Sequence, residues 1–198
     1  MLDEAVDFVE QQHASLSQDH EYAVLLFNIG QEFTRAKDHQ NAIVYYQKAL
    51  VANPQLGSAH YNAALTYLQL GDERRAAEHL RQTIKAEPNS PDAYFYLAQL
   101  VAKSAGPKQA IDYLVRAVEL RPNHGETHFQ LAMMRILTGA PDEGRRHFEI
   151  SQRLAPERFA TLAATKRIIA AIDILIRSQG DSAGELTKWK EMLAKSLD

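Results

Sequence analysis

Prolines stand at Pro54, Pro88, Pro122 and Pro156, each 34 residues after the one before. With proline near 5% of residues, a first proline is followed by chance at all three later positions in roughly one chain in 10⁴. The spacing is therefore a structural period, and a period of this length points to a stack of small units rather than a single globule. Placing proline at position 32 of each unit gives repeats at 23–56, 57–90, 91–124 and 125–158 without a gap. Position 8 then holds Gly30, Ala64, Ala98 and Ala132, and position 20 holds Ala42, Ala76, Ala110 and Gly144. Position 24 is bulky, with Tyr46, Leu80, Leu114 and Phe148, whereas position 27 returns to Ala49, Thr83, Ala117 and Ser151. Small residues let two helix backbones approach, and the large residue beside them fills the space that is left.

Positions 4, 7, 8 and 11 share one face at helical spacing, as do positions 20, 24, 27 and 28. Each unit thus reads as two amphipathic helices, and the chain as all-α. All seven prolines fall at helix boundaries in this frame. The four at position 32 follow a second helix, Pro107 and Pro141 open second helices, and Pro91 opens a first helix. Gly71, Gly106 and Gly139 fall in the connection between the two helices of a unit, where a left-handed turn residue is expected.

Repeat 1 carries Leu26, Ile29, Gly30, Phe33, Ala42, Tyr46, Ala49 and Pro54. In these residues and in its 34-residue period the chain resembles the tetratricopeptide-repeat family over residues 23 to 156. The resemblance implies a right-handed α-solenoid of stacked hairpins whose first helices line a concave groove. Repeat 4 departs from the pattern, with Arg135 at the aromatic position 11, Gly144 at position 20 and Arg145 at a normally apolar position 21. A stack must cover its ends, so residues 1–22 are expected to form an N-terminal helix, a partial repeat or cap. Leu2, Ala5, Val6, Val9 and Leu16 mark its face. Residues 159–198 are expected to supply C-terminal capping helices, one from about Glu157 to Ser178 and one from about Ser182 to Leu197. Leu186, Trp189, Leu193 and Leu197 share a face of the second, and Ser182 and Glu185 have capping-box spacing.

Helical arithmetic sets positions 2, 5, 9, 12 and 13 opposite the core face of each first helix. Position 5 reads Phe27, Tyr61, Phe95 and Phe129, a ladder of rings able to pack against a bound peptide or to support neighbouring helices. Beside it, position 6 offers Asn28, Asn62, Tyr96 and Gln130, whose amides can both donate to and accept from an extended backbone. Gln31 and Gln99 extend the polar character in repeats 1 and 3, while Leu65, Leu68, Met133, Ile136 and Leu137 make repeats 2 and 4 apolar. A large apolar groove is disfavoured without a cover. A ligand, a second subunit or the chain's own terminal helix is expected over Leu65, Leu68, Met133 and Ile136. The family's chaperone-tail clamp is not expected, because Asp92 and Glu126 stand where a bound carboxylate would need cations.

The remaining features argue against chemistry. Twenty-two basic against 25 acidic residues lack the excess that nucleic-acid binding requires. No cysteine is present, which removes disulfides, thiolate metal sites and cysteine nucleophiles. The most apolar stretch, Ile168 to Ile176, is broken by Asp173 and flanked by Lys166, Arg167 and Arg177, too short and too charged for a membrane span. No secretory signal is visible, so cytoplasmic residence is expected. His124 and His128 have metal-pair spacing, but His124 falls in the loop before a helix, and His60 and His128 at position 4 read as packing residues. Asp72 and Glu73, like Asp142 and Glu143, open second helices, where negative charge suits the helix dipole. The doublets Arg74–Arg75 and Arg145–Arg146 read as a solvated outer face. No nucleotide loop or nucleophile motif occurs.

Neither a cofactor nor a metal is expected, and the chain reads as a non-catalytic scaffold or adaptor that receives a partner's peptide or helix in its groove. Two alternatives stay open. One is a self-assembling homo-oligomer held through the groove or the C-terminal helix; the other is a regulatory domain of a larger enzyme or secretion complex.

Overall fold

A computed structural model of the chain describes residues 20–159, 161–179 and 184–195. The expected N-terminal helix, Ser182 of the capping box and Leu197 lie outside the described residues. Among the described residues every regular element is an α-helix. The chain falls into two compact units, Met1–Ala93 and Tyr94–Asp198.

The first unit holds α1 (His20–Arg35), α2 (His39–Ala52), α3 (Gly57–Gln69) and α4 (Glu73–Ala86). The helices pair as α1 with α2 and α3 with α4, and α2 stacks on α3. Each pair turns in the same way. Asp38 N–H bonds to Phe33 C=O at 2.9 Å and Lys37 N–H to Thr34 C=O at 3.0 Å; Asp72 to Tyr67 and Gly71 to Leu68 repeat the pattern at 2.9 and 3.1 Å. This is the Schellman closure, which needs a left-handed residue after the helix. Gly71 provides it at φ 77, but the first turn uses Lys37 at φ 61, a side-chain-bearing residue where the other turns place glycine. Asp38 and Asp72 then cap the second helices, accepting from Asn41 N–H at 3.1 Å and Arg75 N–H at 2.9 Å.

The second unit holds α5 (Pro91–Ser104, from Tyr94 onward), α6 (Pro107–Leu120), α7 (Gly125–Leu137), α8 (Pro141–Leu154), α9 (Pro156–Phe159), α10 (Leu162–Gln179) and α11 (Gly184–Lys195). Pro107 and Pro141 occupy first-turn positions, where their missing N–H is no loss. The α7–α8 turn closes as in the first unit, with Ala140 N–H on Arg135 C=O at 2.8 Å and Gly139 N–H on Ile136 C=O at 3.1 Å. The single helix expected from Glu157 is instead two. Thr161 caps α10, its Oγ1 accepting from Ala164 N–H at 3.3 Å, and the break lets Phe159 turn inward to 3% exposure.

The four columns that define the period are buried where the paired helices meet. Gly30, Ala64, Ala98 and Ala132 are buried, as are Ala42, Ala76, Ala110 and Gly144 opposite them. Tyr46, Leu80, Leu114 and Phe148 are each at most 2% exposed. Ala110→Leu should overpack its hairpin and cost roughly 1–3 kcal/mol, read as a lower thermal midpoint with unchanged helicity at 25 °C. A neutral substitution would count against the helix-crossing role of this column.

Candidate partner-binding surface

In the first unit α1 and α3 carry seven of the residues expected to meet a partner. Phe27 is half-buried, its ring 5.9 Å from that of Tyr46, and Gln31 beside it is half-buried too, while Asn28 is exposed. On α3, Tyr61, Asn62, Leu65 and Leu68 are all half-buried. Asn62 spends one amide hydrogen on its own helix, Nδ2 donating to Ser58 C=O at 2.9 Å. These side chains keep partial access to solvent on two successive first helices. Their backs rest on closely packed helices, a rigid support for a binding face.

The second unit departs from the expected ladder. Phe95 is buried, edge-on to His124 at 5.5 Å and to Tyr96 at 5.4 Å. Phe129 is wholly enclosed: Phe159 stacks on it at 5.1 Å and 20°, and the Arg167 guanidinium lies 4.7 Å from its centroid. Neither ring is open to solvent as the expected ladder requires, Phe95 being 8% exposed and Phe129 wholly buried. Ile136 is likewise wholly buried and not a groove residue. The reason lies in the irregular residues of repeat 4. Gly144 has no side chain, so Ile136 Cγ1 sits where a Cβ would be 2.6 Å away. Arg135, at the position of Phe33 and Tyr67, turns out to an ion pair with Glu143 at 3.2 Å. The core slot of position 11 has thus passed to position 12. Gln99 is exposed, Gln130 donates to Glu126 Oε1 at 2.9 Å, and Met133 is half-buried.

The apolar patch expected over Met133 and Ile136 is covered by the chain itself. Phe129, Ile136 and Phe148 form one core cluster with Phe159, Ile168, Ile172, Leu175, Leu186, Trp189 and Leu193, and Met133 and Leu137 pack against it. In the first unit a first helix stacks mainly on the preceding second helix, as α3 does on α2. Here the short α9 lies on α8, while α10 packs on α7, and so over a first helix. Arg145, expected on a solvated outer face, stacks on Trp189 at 4.7 Å. Lys190 bonds Asp173 at 2.6 Å across α10 and α11.

The histidines form a feature that reading each residue alone missed. His60 Nδ1 lies 3.0 Å from His79 Nδ1, and His60 Nε2 lies 3.0 Å from Pro54 C=O. His128, His147 and Pro122 repeat this at 2.9 and 2.9 Å. Burial pushes all four rings below the ordinary imidazole range, His79 and His147 to about 4. The signal in the sequence was the joint recurrence of histidine at positions 4 and 23 of repeats 2 and 4. His124 Nδ1 lies 2.7 Å from Thr127 Oγ1 in the turn before α7. No three histidine or carboxylate side chains among the described residues converge as a metal site, and no helix there is long and apolar enough to cross a membrane.

Tetratricopeptide-repeat family models match residues 23–56 and 61–124. No curated protein matches the sequence. Among solved structures, YrrB, described as a TPR protein with an unusual peptide-binding site, is 23% identical with a TM-score of 0.68 over 96% of this chain and 98% of its own. MamA is 22% identical with a TM-score of 0.67, over 85% and 94%. The first TPR of Spaghetti (RPAP3), bound to the HSP90 peptide SRMEEVD, is 21% identical with a TM-score of 0.56, over 60% and 94%. At these identities the likeness is one of fold. The hairpins, the period and the family matches agree, and the chain belongs to the tetratricopeptide-repeat proteins.

Proposed function

We propose that the chain is a non-catalytic cytoplasmic adaptor that seats an extended segment or helix of a partner protein against α1 and α3. The frame of four units, 23–56, 57–90, 91–124 and 125–158, with caps at 1–22 and 159–198, belongs to the same proposal. The observation that carries it is the contrast between the two units. Phe27, Asn28, Gln31, Tyr61, Asn62, Leu65 and Leu68 keep partial access to solvent, whereas the matching face of repeat 4 is closed by α9 and α10. Gln99, Gln130 and Met133, which lie in the second unit, are not part of this face. Two of the similar structures, YrrB with its peptide-binding site and the Spaghetti repeat with its bound peptide, support a peptide ligand for the fold.

Self-assembly through the terminal helix is less favoured, because α10 and α11 are already engaged on repeat 4 of their own chain. The test is a displayed library of random 12-residue peptides selected on the wild-type chain. Selected peptides should lose at least about tenfold in affinity against Leu65→Glu with Leu68→Glu, since each buried leucine contact contributes about 1.5–3 kcal/mol. Met133→Glu should leave their affinity unchanged. Peptides that bind the wild type and the double variant equally would overturn the assignment of this face.

A further inference from the structure

The two histidine pairs are the same device built twice, 68 residues apart, each joining a first helix to its second. A carbonyl oxygen can only accept, so the Pro54 contact places a hydrogen on His60 Nε2. In the neutral ring His60 Nδ1 is then a lone pair, and the hydrogen between the rings must come from His79 Nδ1. His128, His147 and Pro122 impose the same tautomers. One added proton on the outer Nε2 of His79 or His147 keeps the inner hydrogen bond but charges a poorly solvated ring. A second sets two N–H donors face to face at about 3 Å.

The surroundings sharpen that cost. His79 stacks on Tyr67 at 5.4 Å, and the Arg75 guanidinium lies over the same ring at 4.5 Å. From α2 the group reaching Tyr67 is the neutral Gln47. Arg75 opposes charge on His79 and Glu78 favours it; Arg135 and Glu143 take these parts for His147, and His124 opposes charge on His128. Of the cations on neighbouring helices, Arg158 is held on Glu126 at 2.9 Å and Arg167 over Phe129. Repeats 1 and 3 fill the two slots with Leu26 and Tyr45, and with Tyr94 and Tyr113, so the hairpin does not need imidazoles. Paired histidines in alternate repeats add a property that those side chains lack.

We propose that the His60–His79 and His128–His147 pairs are acid-sensitive catches, which hold the α3–α4 and α7–α8 hairpins closed while neutral and release them when protonated. The sign follows from linkage. The unfolded rings titrate near 6.5 and the folded ones lower, so stability is full above the unfolded value and is lost as pH falls from about 7 toward 4. Each ring protonated only on opening raises the opening constant by up to about tenfold per pH unit, and a pair by up to about a hundredfold.

The test compares denaturant midpoints of the full chain at pH 7.5 and pH 5.0. The variant carries His60→Leu with His79→Tyr, the residues of repeat 1, and His128→Tyr with His147→Tyr, the residues of repeat 3. The wild-type midpoint should fall steeply and the variant midpoint little; equal falls would overturn the proposal. Should the variant fail to fold, the wild type alone decides. His79 and His147 should stay neutral in the stated tautomers at pH 5.5 and His60 and His128 should titrate below the ordinary imidazole range, with amide exchange, corrected for intrinsic rate, accelerating on acidification in α3–α4 and α7–α8 more than in α1–α2. Ordinary titration near 6.5 with unchanged protection would overturn it.

Discussion

Trp189→Ala lowers the stability of the second unit by about 3–5 kcal/mol, the range for removing a large aromatic from a packed core. Trp189 is 3% exposed on α11, and it joins Leu186 and Leu193 to the cluster around Ile168, Ile172 and Phe148. Its face also receives Arg145, whose buried Nε has no hydrogen-bond partner, and the Glu185 carboxylate is a second group that attracts that cation. Truncation therefore leaves a cavity and removes the cation–π contact together, and the loss should exceed that of Leu193→Ala nearby. The protein has a single tryptophan, so wild-type emission reports this docking directly. It should be blue-shifted in the native chain and shift to the red as α11 detaches. A Trp189→Ala midpoint within about 1 kcal/mol of wild type, by denaturant titration followed by circular dichroism, would mean that α11 adds little to the core.

How much of this was legible depends on whether a residue obeys the period. Positions 8, 20, 24 and 27 hold the same kind of side chain in every unit, and their burial could be read from the chain. The groove positions could not be read so far, because exposure depends on what else folds over them. Phe95 and Phe129 share position 5 with Phe27 and Tyr61 but are buried, the first between Tyr96 and His124, the second under Phe159. Ile136 was misplaced because Gly144 and Arg135, each noted as irregular, act together: one opens a slot and the other vacates it. Thr161 is a residue type that caps helices, yet the helix expected from about Glu157 to Ser178 runs through it. Arg145 needed tertiary knowledge, because Trp189, the ring that receives it, lies 44 residues further on.

Repeat 1 offers the sharpest test of helix-crossing complementarity. A Cβ built on Gly30 would lie 2.6 and 2.7 Å from Cε1 and Cδ1 of Tyr46 and 3.3 Å from Ala42 C=O. The ring has little room to yield, since it is wholly buried and its hydroxyl lies 2.8 Å from Thr34 Oγ1, which itself donates to Gly30 C=O at 3.1 Å. Alanine gains about 1 kcal/mol in helix propensity over glycine. Gly30→Ala should nevertheless lose a net 1–2 kcal/mol or so, because overpacking of this kind costs up to about 3 kcal/mol. Tyr46→Leu alone should cost about 2–4 kcal/mol through the cavity it leaves. The pair together reproduces what repeats 2 and 3 already use, Ala64 with Leu80 and Ala98 with Leu114. The double variant should therefore be more stable than the sum of the single losses allows, by a coupling of about 1–2 kcal/mol. Urea denaturation of the four proteins closes the cycle. A coupling near zero would mean that the Tyr46 ring moves aside at no cost, and the small residue at position 8 would then reflect the close approach of the backbones alone.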